Sequence, residues 1–172
     1  MDDAEHMRRA MALAASVRSA TAPNPWVGCV VVPADSDSGS DSARTTVFEG
    51  ATAPPGGAHA EVAALRAAGE QARGATLVTT LEPCAHQGRT PPCTDAIIEA
   101  GVARVVVGLE DPDPQVAGRG VAALRAAGIE VTVGVGADEV AEQLAPYLKH
   151  RRTGRPWVVL KMAASLDART AA

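Results

Sequence analysis

From residue 59 to residue 150 the chain alternates between short apolar runs and longer segments that stop at glycine. "ATLVTTL" at 75–81, "VARVVVGL" at 102–109 and "IEVTVGV" at 129–135 are β-branched and bounded by turn residues, so they read as strands. Helices are expected over 59–68, 94–100 and 115–127, stopped by Gly69, Gly101 and Gly128, with a last helix over 137–150. Strand and helix in regular turn leave few packings open. The later strands should lie side by side and parallel, joined by right-handed crossovers across the sheet faces. Ahead of them a helix is expected over 2–20, where Met7, Met11, Ala14, Ala15 and Val17 or Arg18 recur at helical spacing. "TAPNP" breaks it, and "WVGCVVV" at 26–32 and "TTVFEG" at 45–50 should pair as a hairpin. The expected fold class is α/β: a three-layer α/β/α sandwich on a mixed sheet of about five strands.

A chain of 172 residues suits one compact domain, assigned here to residues 1–150. Residues 151–172 stand apart. "RTGRP" is a linker signal, and "WVVLKMA" at 157–163 is strand-like, either an extra strand or a tail. "PADSDSGSDSART" at 33–45 reads as a solvated loop. Aromatics are 2% of residues and net charge is −4. Few aromatics argue against a stacking platform and the acidic balance against a basic face, so no nucleic acid is expected as a partner. No apolar run is long enough to span a membrane, and the charged N-terminus lacks the apolar centre of a signal peptide. A cytoplasmic address follows as an expectation, and there thiols stay reduced. Three cysteines also leave one unpaired in any disulfide scheme. Cys29, inside an apolar strand, reads as a small core residue.

The other two cysteines carry the chemistry. Cys84 and Cys93 bracket "LEPCAHQGRTPPC", and "HAEVAAL" at 59–65 sets His59 two residues before Glu61 at a helix start. In an α/β sandwich, strand ends and the helix starts that follow them meet at one edge, so His59, Cys84 and Cys93 can converge. One imidazole and two thiolates suit a tetrahedral zinc ion, and three protein ligands leave one position open, the mark of a catalytic site. Glu61 stands beside a ligand without needing to be one, which fits a proton carrier. Gly88 lets the loop turn and Pro91 and Pro92 stiffen its return. The loop sets His86, Arg89 and Thr90 on the rim, where they could hold a substrate.

"HAEV", "TLEPCAHQGRTPPCTDAIIEAG" and "PNPWVGCVVV" resemble the deaminase half of the bifunctional riboflavin-biosynthesis deaminase–reductase family. That family is a branch of the cytidine-deaminase-like superfamily with eight residues between its cysteines, where nucleobase deaminases have H-x-E followed by P-C-x-x-C. The resemblance runs over residues 5 to 150. It implies a zinc-dependent hydrolase that deaminates 2,5-diamino-6-ribosylamino-4(3H)-pyrimidinone 5′-phosphate to 5-amino-6-ribosylaminouracil 5′-phosphate and ammonia. His59, Cys84 and Cys93 match the Zn²⁺ ligands, and Glu61 matches the proton shuttle. Asn24, His86, Arg89, Thr90 and Asp111 match substrate contacts, with Arg89 suited to the phosphate. Homo-oligomers are expected by the same resemblance, and a separate reductase is a further candidate partner.

The sequence departs from the family in places. Asp113 replaces an asparagine, Thr52 a histidine, and Ala58 a proline before the zinc histidine. "RTGRPWVVLKMAASLDARTA" looks like the opening of the reductase domain, with Ala168 in place of a glycine. No complete reductase follows, so deaminase activity without reductase activity is expected. Two other readings stay open. One is a related zinc deaminase acting on another pyrimidine or a guanine-like base, and the other is a non-catalytic zinc-bearing subunit.

Overall fold

The structure, a computed structural model, describes residues 2–34, 46–88, 90–166 and 170. Helix α1 (Asp3–Val17) opens it, capped by the Asp2 carboxylate, which accepts from the Glu5 amide at 2.8 Å. Strands β1 (Gly28–Val32) and β2 (Phe48–Ala51) form the expected antiparallel hairpin, with Cys29 opposite Gly50. The alternating part follows: α2 (Ala60–Ala68), β3 (Thr76–Leu81), α3 (Cys93–Glu99), β4 (Arg104–Leu109), α4 (Arg119–Ala126) and β5 (Glu130–Val133). Helices α5 (Ala137–Gln143) and α6 (Ala145–Thr153) close it.

The five strands form one mixed sheet in the order β2-β1-β3-β4-β5. β1 runs antiparallel to β2 and β3, while β3, β4 and β5 run parallel. Helices α2, α3 and α4 contact one another in turn, as do α1, α5 and α6, and the sheet lies between the two groups. Gly108 of β4 illustrates the second layer, seated between the Met7 side chain of α1 and the Val140 side chain of α5. Being covered on both faces, the central strands are apolar without alternation: Cys29, Val30 and Val31, then Leu77 and Val78, then Val105 to Val107 are all fully buried. The edge strands β2 and β5 are mostly half-exposed.

Alanine does on the helices what larger residues do on the strands. Ala10 and Ala14 of α1 and Ala60, Ala64 and Ala68 of α2 are buried against the sheet. Two glycines let helix backbones come nearer still. A Cβ at Gly50 would lie 2.2 Å from the Ala60 carbonyl oxygen, and one at Gly120 would lie 1.9 Å from that of Pro83. Both contacts position the site: the first seats α2 on β2, the second seats α4 on the turn before Cys84.

Several expectations need correction. The inner face of α1 is His6, Met7, Ala10 and Ala14, and Ala15 is exposed. The helix expected over 115–127 begins only at Arg119, because Ala117 (φ 27°) and Gly118 (φ 81°) are left-handed and cannot continue a right-handed helix. The helix expected over 137–150 is two, α5 and α6. Pro146 has no amide to offer, and its ring excludes the carbonyl four residues back, so a new helix starts around it. Of the two readings of 157–163, an extra strand and a tail, no strand forms there. Val158, Val159 and Leu160 are more than three-quarters exposed, and the described bridge in this region is between Ala164 and Thr170. Most of the loop at 33–45 lies outside the described residues.

Candidate active site

The site lies where the parallel part of the sheet ends. β3 runs out at Leu81, the chain turns through Glu82 and Pro83, and Cys84 follows. His59 is the N-cap residue of α2, in extended conformation, and its side chain makes no capping bond. Its imidazole is therefore available to the cysteines. Cys93 is the first residue of α3 and is buried. Thr94 N donates to Cys84 O at 3.2 Å, which closes the loop back on its start.

His59 Nδ1 lies 3.2 Å from Cys93 Sγ and 3.6 Å from Cys84 Sγ. All three ligand atoms fall within 4.8 Å of one another. Tetrahedral zinc with its usual bond lengths would place imidazole nitrogen and thiolate sulfur about 3.6 Å apart. The donor set therefore fits zinc in both type and spacing. The Cys93 amide, at the start of α3, points to Cys84 Sγ at 3.5 Å, as a helix N-terminus holds an anion. The hydrogen bond from Cys93, with help from His59, holds the Cys84 thiol down to about 4 against the opposing effect of burial. The same bond, with burial, pushes Cys93 up. His59 is raised by its contact with Cys84. Two sulfurs and an imidazole nitrogen gathered this closely form a donor set that a divalent cation binds in deprotonated form.

Glu61, in the first turn of α2, is 4% exposed and faces the same cluster, with Oε2 3.6 Å from Cys93 Sγ. Burial pushes its carboxyl up to about 7.

A cavity of about 460 Å³ opens above the cluster. Asn24, His59, Glu61 and Cys84 line it, as do His86, Gly88 and Thr90 of the cysteine loop. His86 Nδ1 is buried without a hydrogen-bond partner among the described residues. Asp111 lines the cavity too, but its carboxylate is occupied: the Tyr147 hydroxyl donates to it at 3.0 and 2.9 Å, and the Asp113 amide at 2.9 Å. Burial raises the Asp111 carboxyl. Arg89 lies outside the described residues. Every other site residue named from the sequence lines the cavity, except Cys93, which is buried beside it.

Sequence reasoning missed four residues. Glu82 is buried and accepts from the amides of Asp111 (3.2 Å), Gly118 (3.0 Å), Gly120 (2.8 Å) and Val121 (3.1 Å). One carboxylate thereby ties the end of β3 to the loop at 111–118 and the start of α4. Its signal was an acid set directly after an apolar strand. Thr52 is not an empty place for an absent histidine. Its hydroxyl accepts from the Val27 amide at 3.1 Å and, from within the cavity lining, fixes the chain just after Asn24. Tyr147 and Arg151 of α6 also line the cavity, and nothing local in the sequence distinguishes them.

Residues 1–109 match the family described as the cytidine and deoxycytidylate deaminase zinc-binding region. The chain belongs to this deaminase family. Within the family it is 52% identical to the riboflavin biosynthesis protein RibD of Escherichia coli over 171 residues, which is 99% of this chain and 44% of that protein. The Acinetobacter baumannii RibD structure superposes with a TM-score of 0.88 at 49% identity, over 98% of this chain and 45% of that one. A Thermotoga maritima diaminohydroxyphosphoribosylaminopyrimidine deaminase/5-amino-6-(5-phosphoribosylamino)uracil reductase gives 0.82 at 41% identity, over 96% and 45%. The chain spans less than half the length of these relatives. The cytidine-deaminase-like fold expected from the sequence is thus borne out, and so is zinc as the family's metal. Among the described residues no helix is long and apolar enough to cross a membrane.

Proposed function

We propose that this chain hydrolyses the amine from 2,5-diamino-6-ribosylamino-4(3H)-pyrimidinone 5′-phosphate, in the riboflavin pathway and in the cytoplasm. The observation that carries the reading is the placement of Glu61 beside the His59–Cys84–Cys93 cluster at the floor of one cavity. RibD similarity along nearly the whole chain supports the choice of substrate.

His59, Cys84 and Cys93 would hold a zinc ion, which would supply Lewis-acid activation of a water. Glu61 moves the protons. It takes one from the attacking water and delivers it to the ring nitrogen as the carbon–oxygen bond forms. It then takes the second from the new hydroxyl and delivers it to the amine, so that the carbon–nitrogen bond breaks and ammonia leaves with a carbonyl behind it. A buried carboxyl with a pKa near 7 can release and accept a proton with little driving force either way. Asn24 from one side and His86 and Thr90 from the cysteine loop orient the base. Asp111 is a positioning residue, holding Tyr147 and the loop at 113. In this reading the deaminase unit takes in all of α6, to Thr153, and the exposed segment from Gly154 leads out of it.

Ammonia release tests this directly. Purified protein is incubated with the phosphorylated diaminopyrimidine, with cytidine and with guanine. Ammonia is expected from the first alone. Release only from cytidine or guanine would move the enzyme to another pathway. Silence with all three, at full zinc content, would make the chain a non-catalytic subunit.

A further inference from the structure

Acidic residues dominate the charge of the cavity lining. Glu61, Glu82, Asp111 and Asp113 line it, and Arg151 is the only lysine or arginine among the described residues that do. A phosphorylated ligand cannot leave water for such a lining unless a cation meets it. The inference therefore rests on the reading that the substrate carries a phosphate.

Arg151 is held from two sides. Its Nη1 pairs with Asp113 Oδ2 at 3.1 Å, and its guanidinium carbon stands 5.2 Å from the centre of the Tyr147 ring. Tyr147 lies one turn earlier on the same face of α6 and is itself anchored by donating to both Asp111 oxygens. Side-chain exposure of 37% for Arg151 and 18% for Asp113 leaves this ion pair largely screened, so it adds little to stability. What it does is aim the guanidinium. A bare carboxylate at position 113 would repel an approaching phosphate. Paired, it is neutralised, and one carboxylate oxygen cannot use up the five N–H donors of a guanidinium. The others are there for phosphate oxygens, which arginine meets in bidentate fashion.

We propose that Arg151 is a specificity-determining residue that takes the substrate's phosphate at the cavity rim, with Asp113 and Tyr147 as its positioning residues. The deaminase cavity would then hold its substrate between two walls. The metal side presents the base to the reacting groups, and α6 selects the phosphorylated riboside over the free one.

The test compares wild type with Arg151→Met and Arg151→Lys, each at full zinc content, on the substrate with and without its 5′-phosphate. Arg151→Met should raise KM for the phosphorylated form by about tenfold or more, the loss of one charge-assisted contact. It should move KM for the dephosphorylated form and kcat far less, and Arg151→Lys should recover part of the loss. Equal KM for wild type and Arg151→Met on the phosphorylated form overturns the inference and leaves the deaminase reading standing. Calorimetric binding of the riboside product, with and without its 5′-phosphate, decides the matter even if no wild-type turnover is seen. A preference for the phosphate that Arg151→Met abolishes supports the role. A preference that survives the substitution, or none in wild type, refutes it.

Discussion

The wall that gathers the metal ligands and the wall supplied by α6 face the same cavity but are held in different ways. On the metal wall, His59 and Glu61 are two residues apart at one helix start, and Cys84 and Cys93 close one loop. Backbone features of the elements themselves fix these side chains: an uncapped extended N-cap residue, a helix N-terminus, a strand end. On the other wall, Asp111 meets Tyr147 across 36 positions of sequence, and Asp113 meets Arg151 through a half-exposed pair. No local motif joins them, only the packing of α6. The difference separates two tasks. Bond-breaking chemistry is carried by short-range motifs whose geometry comes with the secondary structure. In the proposed reading, ligand choice rests on single residues of a distant helix, where a substitution should change preference without dismantling the reaction.

The largest expected effect lies on the metal wall. Cys93→Ala should abolish stoichiometric zinc, read by elemental analysis, and with it detectable deamination, because two remaining ligands cannot define a tetrahedral site. An active, zinc-free Cys93→Ala protein would break the comparison outright. Next is Glu61→Gln, which should retain zinc and lose activity by about 10²–10⁴-fold, the usual worth of a positioned acid–base group. Steady-state ammonia release at matched zinc content measures it. Glu82→Ala sits at the join between the walls. It strands four amides, three of them buried, and should lower the unfolding free energy by about 3 kcal/mol in urea titration. A near-neutral result would mean that the loop at 111–118 holds itself. Tyr147→Phe should cost least, about 1–2 kcal/mol for the lost bond to a buried carboxylate, seen by the same titration. If it cost as much as Glu82→Ala, the α6 wall would be as firmly built as the metal wall.

This contrast also explains what could be read from the sequence. The alternation after residue 59 gave the strand order its parallel half, since glycine stops and β-branched runs are local signals and later packing obeyed them. The convergence of His59, Glu61, Cys84 and Cys93 was legible because their residue types and spacing suit the strand ends and helix starts of one sheet edge. Glu82 was passed over because an acid after a strand looks like surface until its four amide donors are known. Arg151 was read as part of a linker, since only the position of α6 turns it toward the cavity. "WVVLKMA" misled in the opposite sense. Its pattern is that of a strand, but a strand needs a neighbour to complete its ladder, and neither edge of the sheet takes it. The break at Pro146 carried a plain signal, and the apolar periodicity across it outweighed that signal in the reading.

Gly50 bears on how the enzyme could vary. A methyl group there would collide with the backbone of Ala60, which sits between the imidazole ligand and the proton carrier. Any side chain at this position would lever the whole first turn of α2 off the sheet and shift both groups together. Mutational tolerance at residue 50 should therefore track that of the ligands themselves, although it touches neither metal nor substrate.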